Sequence, residues 1–173
     1  FVALFFLETS TGQWIACGLF ALAAITDFFD GYLARARGQM SAFGTFLDPV
    51  ADKLLVASAL LMMVGFDQIS GLVIIPAVVI LCREILVSGL REYLAGFAVS
   101  LQVSRLAKWK TTVQMIAIGF LIVGESAHPA ISADIPVRLI GEAGLWLAAV
   151  VTLITGFDYL RTGLRHMGGS DTP

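Results

Sequence analysis

Apolar runs about as long as a bilayer is thick leave this chain few ways to fold. A hydrocarbon core about 30 Å deep needs roughly 20 helical residues to cross it. Five stretches of that kind can be marked, approximately Trp14–Arg35, Ala42–Phe66, Leu72–Leu94, Leu106–Val123 and Val137–Tyr159. Phe1–Leu7 is too short to span and reads as the last turns of a first helix cut short, making six crossings in the intact chain. The connections between runs are short and polar, and no internal repeat or low-complexity stretch interrupts them. The expectation is an all-α, polytopic integral membrane helical bundle, a single membrane-embedded domain over residues 1–173.

Composition closes off the alternatives. Charged residues make up 14% of the chain and mean hydropathy is +0.88, whereas an ordinary soluble domain carries roughly 25% charge. A domain this small must expose much of its surface, so in water such a composition is untenable. Disorder needs low hydrophobicity and high net charge, and the net charge is only -2. Acids outnumber bases 13 to 11, without the basic surplus of a nucleic-acid binder. Cys17 and Cys82 lie in separate apolar runs without CxxC spacing and read as packing residues. No basic segment precedes the opening apolar run, so the start reads as a trimmed N-terminus and not as a signal peptide.

Lysine and arginine set the orientation. Arg35 and Arg37 follow the second span; Arg91, Arg105, Lys108 and Lys110 surround the connection between the fourth and fifth; Arg161 and Arg165 follow the last. The opposite connections, near Glu8–Gln13, Asp67–Gly71 and Glu125–Val137, hold no lysine or arginine, and only Arg138 borders that side. Both termini and the Arg35–Ser41 loop are therefore assigned to the cytoplasm.

An ionisable residue inside a span is expensive and by default a functional hypothesis. Four of the 13 acids crowd into 26 residues: Asp27 and Asp30 at i, i+3 near the end of the second span, Asp48 and Asp52 at i, i+4 near the start of the third. Residues three and four apart share a helix face. With so short a loop the two spans should be antiparallel neighbours, and all four carboxylates can converge just inside the cytoplasmic interface. Only Arg35 and Lys53 are near to offset their repulsion, and divalent cations are the natural remedy. Hard oxygen ligands suit magnesium or manganese, and four carboxylates can hold two ions. His128 and His166 lie in loop or terminal positions, which argues against a zinc site. Gly31, Ala34 and Gly44 clear a strip of backbone beside the carboxylates where a bulky ligand can approach; helix packing is the plainer reading of small residues alone.

Asp27-Phe-Phe-Asp30-Gly31-Tyr-Leu-Ala34-Arg35, then eight residues, Gly44, three residues, Asp48, three residues and Asp52 resembles the full signature of the CDP-alcohol phosphotransferases, DxxDGxxARx8GxxxDxxxD. No fixed position departs from it, a match expected by chance on the order of once in 10^10 windows. The resemblance implies a two-metal enzyme in which a hydroxyl attacks the phosphorus of a CDP-linked donor and CMP leaves. Position by position, it implies metal-binding roles for Asp27, Asp30, Asp48 and Asp52, with Asp52 as the general base. It also implies a cytidine diphosphate site at Asp27, Asp30, Gly31, Ala34, Arg35 and Gly44. Such chemistry rests on positioning and charge neutralisation, and a cytoplasm-facing site suits a donor with a soluble head and two acyl tails.

The acceptor is read from the basic residues. Arg83 and Glu84 lie deep in the fourth span, and Arg83 and Arg91 are eight residues apart, hence on one face. With Lys108 and Lys110 they form a candidate site for a phosphorylated acceptor such as glycerol 3-phosphate or an inositol phosphate. Against this stand a self-neutralised Arg83–Glu84 pair, and positive-inside anchoring of Arg105, Lys108 and Lys110 with Trp109 as an interfacial residue. Arg83 and Arg91 are the first choices, Lys108 and Lys110 the second. The segments Phe46–Lys53, Arg83–Glu92 and Lys108–Gln114 resemble the bacterial phosphatidylglycerophosphate synthase branch of the family, carrying the resemblance from about Ala24 to Gln114. That resemblance implies CDP-diacylglycerol and sn-glycerol 3-phosphate as substrates, phosphatidylglycerophosphate and CMP as products, a bacterial inner membrane location and, by analogy, a homodimer. Pro49 either opens room beside Asp48 or marks the first turn of a helix. The rivals are a sibling transferase taking inositol phosphate, a cation transporter, and a scaffold that leaves the aspartates unexplained. Against the transporter, the carboxylates lie near one interface and no paired broken helices occur.

Overall fold

The structure, a computed structural model, describes residues 1–7, 9–37, 42–96, 105–124 and 136–168. Among these every regular element is helical: α1 (Val2–Phe5), α2 (Ser10–Arg37), α3 (Ala42–Gly65), α4 (Ile74–Ala95), α5 (Arg105–Val123) and α6 (Val137–Gly168), with a 3-10 turn at Gly71–Val73 leading into α4. The five long helices coincide with the five apolar runs, and α1 lies within Phe1–Leu7. The Gly71–Ala95 and Val137–Leu164 segments are long and apolar enough to cross a membrane.

Helix ends have local causes. Thr9 caps α2: its hydroxyl accepts the Gly12 amide at 3.1 Å, and its carbonyl accepts the Gln13 amide at 3.0 Å. This pulls the start of α2 four residues ahead of the expected Trp14. The chain leaves α3 through Asp67, whose left-handed φ of 56° a short polar side chain tolerates, and the Ile69 amide reaches back to the Met63 carbonyl at 3.0 Å. Pro76 stands in the first turn of α4, where its missing N–H costs nothing. Pro49 is different. It is the eighth residue of α3, so the first-turn reading of it does not hold, and it deprives the Thr45 carbonyl of its usual partner.

α6 is the staff of the bundle, packing along α5 and α4; α5 also lies against α2, and α2 against α3. Glycines allow the closest approaches. A Cβ on Gly144 would lie 2.9 Å from the Ala117 Cβ of α5, and one on Gly163 would lie 2.9 Å from a Leu90 methyl of α4. The core runs through Phe20, Leu60, Met63, Ile80, Ile118, Leu121 and Leu145. Outward faces are equally apolar: Leu72 is 74%, Ile85 69% and Phe157 67% exposed. Side chains of this kind on every flank fit a helical bundle whose outer solvent is lipid.

Candidate active site

Where α2, α3 and α5 meet they enclose a cavity of about 720 Å³. Its α2 wall includes Ala23, Ala24 and Phe29, its α3 wall Ala51 and Leu55, and its α5 wall Thr111, Thr112 and Met115. Three of these are alanines, short enough to leave the space open. Along the helices the signature positions share register with several of these lining residues. Asp27, Gly31 and Ala34 follow Ala23 at four, eight and eleven residues along α2, and Asp30 follows at seven. On α3, Gly44 and Asp48 precede Ala51 and Asp52, with Leu55 completing the same stripe. These spacings repeat every one to three turns, so they stay on one helix face.

The side chains of Asp27, Asp30, Gly31, Ala34, Arg35, Gly44, Asp48, Asp52 and Lys108 lie outside the described residues. Their helices pack together around one cavity. The donors that the signature offers are carboxylates, a chemistry that would fit magnesium or manganese. Among the described residues no three His, Cys, Asp or Glu side chains converge.

The basic residues of the candidate acceptor site are distributed unevenly. Arg91 is exposed, whereas Lys110 of α5 is buried, only 3% accessible, and donates its Nζ to Glu84 Oε1 of α4. Arg83 Nη1 lies 3.6 Å from the same oxygen. Glu84 is therefore held chiefly by a lysine from another helix, not by the adjacent arginine alone. Arg83 Nη2 donates to Thr155 Oγ1 of α6 at 3.0 Å, and its guanidinium carbon sits 5.6 Å from the Tyr159 ring centroid, within cation–π range. Thr155 passes its own proton to the Val151 carbonyl at 2.9 Å. Gly156 completes the seat, because a Cβ there would lie 3.1 Å from Arg83 Cγ. Trp109 is 69% exposed.

Thr155, Tyr159 and the Glu84–Lys110 pairing are not read from the sequence. The available signal was Glu84 itself, a lone acid in an apolar run that needs a partner. A second, polar hollow of about 290 Å³ lies beyond the far end of α3, lined by Gln13, Asp67, Gln68 and Arg138.

Comparison with known proteins bears on the same chemistry. The CDP-alcohol phosphatidyltransferase family pattern matches residues 1–154. The chain is 46% identical over 160 residues to a Rickettsia typhi protein, covering 92% of this chain and 86% of the relative. It is 43% identical over 185 residues to one from Cereibacter sphaeroides, covering 90% and 84%. A Haemophilus influenzae protein is 39% identical over 163 residues, covering 93% and 83%. All three relatives bear the name CDP-diacylglycerol–glycerol-3-phosphate 3-phosphatidyltransferase.

Proposed function

The chain belongs to the CDP-alcohol phosphatidyltransferase family, and on that premise we propose how it acts. It is an enzyme that transfers the phosphatidyl group of CDP-diacylglycerol to the hydroxyl of sn-glycerol 3-phosphate, giving phosphatidylglycerophosphate and CMP. The observation that carries this reading is the shared activity name of relatives at 39% to 46% identity over nine-tenths of the chain. The α2–α3–α5 cavity, into whose walls the signature helices feed, supports it.

Asp27, Asp30, Asp48 and Asp52 hold two divalent ions, magnesium by preference. Bound there, such ions supply positive charge to the attacking and leaving oxygens. Asp52 takes the proton of the acceptor hydroxyl as its oxygen bonds to the β-phosphorus of the donor. The anhydride bond breaks and the electron pair leaves on CMP. Gly31, Ala34 and Gly44 keep the backbone open to the cytidine diphosphate, and Arg35 faces its charge. Arg83 and Arg91, with Lys108 and Lys110 as second choices, receive the acceptor's phosphate by charge-assisted hydrogen bonds. The helices cross a bacterial inner membrane, with this site on the cytoplasmic side, and two copies associate as a homodimer.

The test is CMP release from CDP-diacylglycerol by purified protein in detergent with magnesium. It is run with glycerol 3-phosphate, with inositol phosphate and with neither. Release stimulated by glycerol 3-phosphate alone is expected. Release with inositol phosphate alone overturns the acceptor, and none with either overturns the reaction.

A further inference from the structure

The signature and its cavity account for α2, α3 and one face of α5. They do not account for two cations and a carboxylate gathered where α4, α5 and α6 meet. Burying such charges is costly, and well-packed apolar residues of similar volume would hold three helices together at least as well. Charge at this junction points to a task beyond cohesion.

Its construction says what task. One Glu84 oxygen serves both Lys110 Nζ and, at 3.6 Å, Arg83 Nη1. Arg83 is fixed from the other side by Thr155, by the Tyr159 ring and by the notch at Gly156. Its buried Nε has no hydrogen-bond partner among the described residues. A guanidinium held this firmly with a buried donor to spare suits an anion, because little freedom remains to be lost on binding. Lys110 also immediately precedes Thr111 and Thr112, which line the α2–α3–α5 cavity. Anchoring Lys110 to α4 therefore sets which face of α5 the cavity receives.

We propose that Glu84 is a positioning residue for the acceptor's phosphate: its carboxylate fixes Lys110 and Arg83 so that both meet the phosphate already arranged. Glu84 does not touch the substrate; it acts through the two cations. This rests on the reading of glycerol 3-phosphate as acceptor.

The experiment uses the full chain in detergent with magnesium and CDP-diacylglycerol, measuring CMP release as glycerol 3-phosphate is varied. Wild type is compared with Glu84→Gln, Lys110→Gln and the double variant. Glu84→Gln is expected to raise the KM for glycerol 3-phosphate about tenfold while kcat and the KM for CDP-diacylglycerol stay within about twofold. In the Lys110→Gln background the same change should add far less. An unchanged acceptor KM overturns the inference and leaves the reaction intact. Loss of kcat and both KM values together with a lowered unfolding midpoint overturns it too, leaving Glu84 a tie for the fold alone. Wild type that releases no CMP with glycerol 3-phosphate overturns the underlying reading, and the inference with it. If Glu84→Gln does not purify folded, Glu84→Asp, which withdraws the oxygen by one methylene, should raise the acceptor KM at least about threefold; no change overturns the proposal.

Discussion

A carboxylate that binds a metal loses its charge when replaced by its amide, while its volume hardly changes. Asp48→Asn is therefore expected to cost several kcal/mol in the transition state, about a thousandfold in rate. Its detergent-solubilised unfolding midpoint should stay near that of wild type, and a folded Asp48→Asn protein with normal CMP release would remove the metal assignment. Thr155 poses a different problem, because it accepts from a half-buried arginine and donates to its own helix. Thr155→Val keeps the shape and strands an Arg83 donor, so it should destabilise the protein by about 1–3 kcal/mol in denaturant titration. The four aspartates stand out in the sequence because their chemistry is local: acids at helical spacing announce one face and one charge problem, which the mutation above tests. The Glu84–Lys110 pair was not legible there, since its members stand 26 positions apart and meet only because α4 and α5 both pack on α6. Thr155 is one small polar residue in an apolar run, and its value appears only beside Arg83.

Elements were legible where lipid dictates them and less so at their ends. Apolar length marked all five long helices, but it placed the close of the last span at Tyr159, whereas α6 runs on to Gly168. Hydrogen bonding does not stop where the hydrocarbon does, and the Thr162 hydroxyl donates back to the Asp158 carbonyl at 2.9 Å. At 1.5 Å per residue α6 is about 48 Å long, more than a bilayer core requires. Its importance was also invisible in its composition, because helix packing depends on which glycines face a neighbour. Two identical substitutions separate that effect from helix propensity. Gly144→Ala puts a methyl 2.9 Å from Ala117 Cβ, which cannot swing aside, and should cost about 1–3 kcal/mol. Gly18→Ala, on an exposed part of α2 with nothing within 4 Å, should gain about 0.5–1 kcal/mol. Unfolding in mixed micelles measures both, and equal effects would refute the packing of α6 on α5.

For the whole molecule, the two ends of the bundle differ in charge. Arg91 and Lys110 mark the end of α4 and the start of α5, and Arg161 follows in the last turns of α6, while Arg138 is at the opposite end, paired with Glu142 at 3.0 Å. Positive residues stay on the cytoplasmic side, so a reporter that fluoresces only in the cytoplasm should be bright when fused after Pro173. A dark, stably inserted fusion would invert the topology and put the aspartates on the wrong side for a cytoplasmic donor. The most direct test of the account follows radiolabelled sn-glycerol 3-phosphate into solvent-extractable lipid, with CMP measured in the same tube. Wild-type protein with magnesium should move label into lipid one for one with CMP, and Asp52→Asn should do neither. CMP formed without labelled lipid, or transfer that survives Asp52→Asn, would contradict a phosphatidyl transfer run by these aspartates.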